Sequence, residues 1–269
     1  MIGAWCFVDH YGPTLADDAM SVARHPHAGL QTVSWLFNGE IEHRDSLGSL
    51  QLINPDQLNV MTSGHGIAHS ELSLGAGKEL HGVQLWVALP SAAKDVSPQF
   101  EHHSDLPTFD CEGMRVKLMM GSCLGHNSPA RIYSPLMAAE IAGGNLETDF
   151  PIDPIFEYGI LVNQGEITVN GKPVGATQLH YIPTGRSNIG ISSQGKFLGL
   201  IIGGVPFKEE IIMWWNFIGR THDEIVEMRS DWQNQKKRFG FFEDRIGGYI
   251  PAPALPNLRL KPRGSRRHS

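Results

Sequence analysis

The chain is short of cysteine, of charge and of long apolar runs, and each shortage removes a class of protein. Cys6, Cys111 and Cys123 are the only thiols in 269 residues. Their number is odd and their spacing is neither CxxC nor the framework of a disulfide-built secreted domain. They read as reduced thiols in a cytoplasmic protein. No run of about 18 apolar residues exists, so no segment reads as a membrane-spanning helix. The opening MIGAWCFVDHYGP has neither a basic start nor a long apolar stretch, the two marks of a secretory signal. No Gly-x-Gly-x-x-Gly opens a helix and no Walker-type loop occurs, which removes the commonest nucleotide folds. A formal net charge of -6 argues against direct contact with nucleic acid. The exception is the tail, where Arg259, Lys261, Arg263, Arg266 and Arg267 cluster. It reads as a frayed, solvated terminus before a phosphate- or partner-binding arm.

What is present is turn-rich and β-like. Hydrophobic residues make up 41% of the chain, enough for a core, and Gly 30 and Pro 17 favour many short strands. Val33, Trp35 and Phe37 alternate with Thr32, Ser34 and Leu36 before Asn38-Gly39 breaks the run. Leu50 and Leu52 alternate before Asn54-Pro55-Asp56, and Val83, Leu85, Val87 and Leu89 before Pro90. Alternation puts every second side chain on one face of a strand. The pattern loosens from Phe100 to Thr108, and a second β-rich block follows. There Glu166–Val169 meets Lys172–Val174 across Asn170-Gly171, a type I′ hairpin signal. Lys196–Ile202 forms a further run before Gly203-Gly204. One helix is expected. Thr221 is its N-cap, with Glu224 completing a capping box. Ile225, Met228 and Trp232 form its core stripe, Lys236, Lys237 and Arg238 its last turn, and Gly240 its stop. The chain thus divides into blocks 1–120 and 121–220, then a helix and proline-rich tail over 221–269.

The stretch H25-P-H27 opens a strand-like run. Residues i and i+2 of a strand face the same side, so both imidazoles point into one space. In S63-G-H-G-I-A-H69-S-E71, His69 and Glu71 repeat that spacing. Two same-face pairs meeting inside a small barrel supply three nitrogens and one carboxylate oxygen. Such a set suits a first-row transition metal, and the absence of cysteine ligands disfavours a structural zinc site. An octahedral ion would keep two open positions, as oxygenases require. Glu71 could also take a proton from a phenol or enol. The competing reading is four polar residues lining an unmetallated pocket or surface. Among the other histidines, His43, His65 and His81 lie near the site in sequence; His65, in the turn delivering His69, is the first of the three for a supporting role, but an exposed loop residue is its leading reading. His102, His103 and His126 read as loop residues. His180 has no HxH or HxE partner, so the second block lacks a comparable set.

Motifs extend the reading. H25-P-H27-A-G-L-Q-T-V-S-W-L with N38-G39 resembles the first cupin motif. M61-T-S-G-H-G-I-A-H69-S-E71 followed by H81-G-V-Q-L-W-V resembles the second, in the form particular to the pirin family, and D9-H10-Y-G-P13 resembles the pirin N-terminal region. The resemblance covers most of the chain, with a degenerate second cupin around G165-E-I-T-V-N-G171. It implies an all-β bicupin: two facing β-barrels (double-stranded β-helices) with a short C-terminal helix and an extended tail. It implies metal only in the N-terminal barrel, held by His25, His27, His69 and Glu71. The ion expected is Fe(II), with Mn, Ni, Co, Cu or Zn as other divalent occupants. Some pirins open the flavonol ring as quercetin 2,3-dioxygenases, releasing carbon monoxide, whereas others are described as regulatory partners sensitive to the iron's redox state. The readings are therefore a dioxygenase of a polyphenol, with Glu71 as ligand and base, or a non-catalytic iron protein binding a protein partner. A third is a non-oxidative cupin, such as an isomerase, using the metal as a Lewis acid. Two features depart from the family pattern. The chain begins almost at DHYGP, so early strands expected upstream are lacking and barrel closure there is in question. W214-W-N-F-I-G-R220 and the segment after Gly240 differ from mammalian members and look like a bacterial subgroup. Pocket walls rather than ligands select a substrate.

Overall fold

A computed structural model describes residues 1–15, 20–75 and 78–264. The described chain is mostly strand, with one α-helix near its C-terminus. It divides into two compact units, one of Phe7–Ser104 with Lys208 onward, the other of Met1–Cys6 with Asp105–Phe207. These lines differ from the blocks 1–120, 121–220 and 221–269. Residues 105–120 supply strands to the second unit's sheet, and the helix and tail group with the first unit.

The first unit carries most of strand β1 (Trp5–Leu15), from Phe7 onward, and strands β2 (Ser21–His27), β3 (Leu30–Asn38), β4 (Ile41–Asp45), β5 (Leu50–Ile53), β6 (Leu58–Thr62), β7 (Ile67–Ser73), β8 (Glu79–Ala88) and β9 (Gln99–His103). They form two sheets, ordered β1-β8-β3-β6-β9 and β2-β7-β4-β5. In β3 both faces are buried, not one. It lies between β8 and β6, and its polar positions find partners there: Gln31 Nε2 donates to Thr62 Oγ1 at 3.0 Å. Leu50 and Leu52 instead face outward on the edge strand β5. His102 and His103 belong to β9, not to a loop, and His102 Nδ1 bonds Asn59 Oδ1 at 2.8 Å.

The second unit carries β10 (Thr108–Cys111), β11 (Met114–Cys123), β12 (His126–Asn127), β13 (Leu136–Gly143), β14 (Leu146–Pro151), β15 (Glu157–Gln164), β16 (Glu166–Val169), β17 (Lys172–Gly175), β18 (Leu179–Ile182), β19 (Asn188–Ser193) and β20 (Phe197–Gly204). Its sheets run β10-β11-β13-β20-β15-β18, with β12 beside β11, and β14-β19-β16-β17. The second of these repeats the connectivity of β2-β7-β4-β5, so the two units are versions of one design. The hairpin at Asn170-Gly171 forms with positive φ at both residues, 48° and 76°, as a type I′ turn requires. His126, placed in a loop from the sequence, sits in the short β12 and stacks on Phe109.

After the second unit the chain returns to the first. Strands β21 (Ile212–Trp214) and β22 (Phe217–Gly219) form a two-stranded hairpin, and helix α1 (His222–Gln233) follows. Thr221 caps α1 by accepting the Glu224 N–H at 3.2 Å. The Glu224 carboxylate accepts from the Arg220 N–H at 2.6 Å, one residue earlier than a regular capping box would have it. The helix also stops sooner than expected. Asp231 draws Lys236 and Arg238 onto its carboxylate at 2.8 and 2.7 Å, and the basic run forms a separate 3-10 turn, Lys237–Phe239, closed by Gly240. The expected stripe of Ile225, Met228 and Trp232 packs with Ile212, Phe217 and Phe239 in one apolar cluster. The tail is docked through Arg263, not frayed. Arg263 exchanges backbone hydrogen bonds with Ile211, and Arg259 pairs with Asp223 at 2.9 Å. Arg266 and Arg267 lie outside the described residues.

Candidate metal centre

The site grows from strand β7, which runs between β2 and β4. On the β2 side His69 stands opposite His25, and Glu71 opposite Val22. Three residues of β2 thus span two of β7, which is a bulge at Ala23-Arg24. A bulge re-aims the side chains that follow it. The displaced Ala23 carbonyl accepts a hydrogen bond from His25 Nδ1 at 2.9 Å, leaving Nε2 with the free lone pair. On the β4 side His69 stands opposite Asp45, and Glu71 opposite His43. The glycine-framed turn before β7 is needed for close packing. Gly64 has φ +49, and a side chain there would strike the Val96 carbonyl.

The structure brings His25, His27 and His69 together, all buried, with ring centroids 4.3 to 5.1 Å apart. One nitrogen from each lies within 4.8 Å of the others. Both nitrogens of His27 and Nε2 of His69 are buried without a hydrogen-bond partner. Orphaned buried nitrogens are costly, and a cation among them would take one lone pair from each ring. Glu71 falls in a second, overlapping group with His43 and His69. Its two oxygens each lie 3.2 Å from Gln84 Nε2, and Trp86 Nε1 donates to Gln84 Oε1 at 3.4 Å.

His43 was not singled out from the sequence, yet it is the buried neighbour of His69. His65, read chiefly as an exposed loop residue, is exposed, with Nδ1 against the Val96 carbonyl. His81 is buried but pairs with His10 at 2.9 Å. A chain of hydrogen bonds orients His69. Asp45 Oδ1 accepts the N–H groups of Leu47 and Ser49, and its Oδ2 faces His43 Nε2 at 3.3 Å. A carboxylate must accept, so Nε2 of a neutral His43 carries the hydrogen and Nδ1 is an acceptor. His43 Nδ1 lies 3.4 Å from His69 Nδ1, which therefore donates, and His69 Nε2 presents its lone pair to His25 and His27. The H43-R-D45 spacing, a third i, i+2 pair, was the available signal.

Electrostatics agree with a set of neutral imidazoles. Burial pushes the His25 ring down to about 4, against 6.5 for a free imidazole. Burial, then the neighbouring imidazoles, hold His27 and His69 well below 6.5. Burial raises the Glu71 carboxyl, partly offset by His43 and Gln84. Burial also raises the Tyr11 hydroxyl, reinforced by the negative charges of Glu71 and Asp9, so it stays a neutral donor.

A cavity of about 360 Å³ opens beside the rings, bounded by His25, His27, Glu71, Trp86, Tyr11 and Trp215, among others. That volume lies in the small-molecule range. The second unit holds a larger cavity, about 700 Å³, walled by Leu136, Met137, Phe150, Phe156 and Tyr158. Among the described residues, the groups able to hold a metal lie in the first unit only.

Comparison with known proteins agrees with this geometry. The family pattern described as Pirin matches residues 1–87, and that of the pirin C-terminal cupin domain matches residues 141–240. A Pseudomonas aeruginosa protein that carries quercetin 2,3-dioxygenase as a provisional name is 42% identical, over 95% of this chain and 82% of its own length. The chain belongs to the pirin family. Its fold is that of two cupin domains. A crystal structure of quercetin 2,3-dioxygenase from Acinetobacter baumannii superposes with a TM-score of 0.93 at 40% identity, covering 97% of this chain and 88% of that one. The Escherichia coli pirin YhhW in complex with nickel(II) shares the fold, with a TM-score of 0.62 at 19% identity over 76% of this chain and 84% of its own. No helix among the described residues is long and apolar enough to cross a membrane.

Proposed function

We propose that this chain is a metal-dependent dioxygenase of the quercetin 2,3-dioxygenase type, acting on a flavonol or similar polyphenol. His25, His27, His69 and Glu71 hold the ion, Fe(II) for preference. Nickel(II), found in the E. coli relative, and other divalent transition metals suit the same donors. The observation that carries the reading is the convergence of three neutral, buried imidazoles, with unpartnered nitrogens on His27 and His69, where His25 and His27 line a cavity of substrate size. Family membership and the names of the relatives supply the reaction class.

When bound, such an ion contributes Lewis acidity and the means for an electron-rich substrate to react with dioxygen, otherwise barred by spin. The protein's own groups do the rest. Glu71 lies in the cavity wall, and a carboxylate whose proton affinity is raised by burial is a stronger base toward a phenol or enol. Gln84 holds that carboxylate in place, and Trp86 holds Gln84. Tyr11, kept protonated, can donate to a substrate oxygen. The apolar walls orient a flat ring and exclude water.

The test is metal analysis together with oxygen uptake on quercetin. The metal-loaded protein should consume oxygen, and His69→Ala should lose both metal and uptake while remaining folded by circular dichroism. A metal-loaded protein inert toward a flavonol panel would overturn the enzyme reading in favour of a regulatory metal protein. Metal retained in full by His69→Ala would overturn the ligand assignment.

A further inference from the structure

Part of the cavity wall comes from W214-W-N-F217, a stretch that the metal site does not use. Trp214 pairs with Phe217, so Trp215 and Asn216 form a two-residue hairpin tip, and both line the cavity. Trp215 has φ 50°. Tips of this kind take glycine, asparagine or aspartate at positive φ, because a bulky side chain is strained there. The ring of this tryptophan has two surroundings: it packs against the apolar cluster of Phe217 and Trp232, and it lines the cavity.

The tip is braced against the ligand strand. Ala28, which follows His27, donates its N–H to the Asn216 carbonyl at 3.3 Å, and its carbonyl accepts from the Ile218 N–H at 2.9 Å. Gly29 allows this approach, since a side chain there would meet the Ile218 carbonyl. At the hairpin's base Arg220 donates to Glu209 and to the Leu89 carbonyl, each at 2.6 Å. The Trp215 ring stands edge-on to Phe217, with centroids 5.4 Å apart. Elsewhere on the cavity wall Phe7 stacks on Trp86 at 4.4 Å, and the Trp86 ring meets His27.

We infer that Trp215 and Asn216 are the substrate-selecting wall of the metal cavity, Trp215 offering an aromatic face to a planar, electron-rich ring and Asn216 an amide to its oxygens. This rests on the polyphenol reading above.

Anaerobic titration of metal-loaded protein with quercetin, followed by its visible absorbance, tests the inference apart from turnover. Trp215→Gly relieves the strain but gives up the ring's contact with Phe217, so the thermal midpoint should stay near wild type and metal be retained, while quercetin binding weakens about ten-fold. Trp215→Phe should keep affinity within about three-fold of wild type, because an aromatic face remains. Wild-type affinity in Trp215→Gly overturns the inference, and so does failure of the metal-loaded wild type to bind quercetin at all. A loss of affinity accompanied by a lower midpoint or lost metal would assign Trp215 a packing role and overturn it too. Binding without oxygen uptake would instead overturn the dioxygenase reading and leave this wall standing.

Discussion

The two cupin units share one strand plan and fill it oppositely. In the first, the pair β2 and β7 sets His25 against His69. In the second, the corresponding pair β14 and β19 sets Thr148 against Ile191 and Phe150 against Ile189. Phe150, Ile189 and Ile191 join Val169, Ile160 and Val162 in a continuous apolar core. The same frame therefore holds imidazoles in one unit and hydrocarbon in the other. Hydrocarbon stabilises a fold by leaving water and by close packing. Imidazoles with orphaned nitrogens oppose folding until something binds them. On the proposed metal reading, the first unit gives up stability for a site, while the second carries an ordinary core.

The largest expected effect comes from making the first unit resemble the second. His27→Leu should lower metal affinity more than about 100-fold, since a direct ligand is worth more than an outer partner. The metal-free variant should match or exceed wild-type stability, by up to about 1–3 kcal/mol, because two buried unsatisfied nitrogens disappear. Chelator competition and urea unfolding measure the two effects, and a strongly destabilised metal-free variant would break the comparison. The converse change, Phe150→Ala, should cost about 3–5 kcal/mol in urea unfolding by opening a hole in the second core. It should leave metal affinity near wild type, and a large loss of metal would show that the two fillings are not separable.

Acid sharpens the contrast next. His25 titrates near 4 in the folded protein against 6.5 for a free ring, and His27 and His69 also lie well below 6.5. Below pH 6.5 the unfolded chain therefore binds protons that the folded chain refuses. Stability falls as pH drops, by about 1.4 kcal/mol per unit for each ring, until the folded group itself titrates. Glu71 acts oppositely, because its raised folded value adds stability as pH falls through it. Three rings outweigh one carboxyl, so metal-free protein should lose stability steadily between about pH 6.5 and about pH 4. Saturating metal should raise the whole profile and keep that slope, because rings held by an ion refuse protons as the buried neutral rings do. A flat profile for the metal-free protein would refute the buried-imidazole account.

The smallest effect expected is at Asp45. Asp45→Asn keeps the shape but removes the obligate acceptor that sets the His43 and His69 tautomers. Metal affinity should fall about ten-fold with little change in the metal-free thermal midpoint. Asp45→Glu, which restores a carboxylate, should recover part of it. An unchanged affinity in Asp45→Asn would mean that His69 is oriented by packing alone.

Much of this site was legible as spacing. HPH and HSE each obey the two-residue period of a strand, so His25 with His27, and His69 with Glu71, had to share faces. Asn170-Gly171 and Thr221 were legible because positive φ and N-capping are local demands on single residues. His43 and Asp45 were hidden for a different reason. Their value depends on β4 lying beside β7 with Asp45 opposite His69, and pairing register is set by contacts distant in sequence. His65 stays exposed, as its loop reading had it, since nearness along the chain does not aim a side chain inward. The end of α1 was misplaced because Asp231 recruits Lys236 and Arg238 into a turn, where a dipole argument would extend the helix.

Local chemistry written in the chain specifies which atoms are available to grip a cation, and where strands turn and the helix begins, because those choices involve neighbours two to four residues apart. Their assembly is another matter. The bulge that turns His25, the Asp45–His43–His69 relay, and the return of Trp215 to wall the cavity join residues from 23 to 216. Such meetings exist only once β2, β4, β7 and the late hairpin have packed, since no local rule ties their positions together.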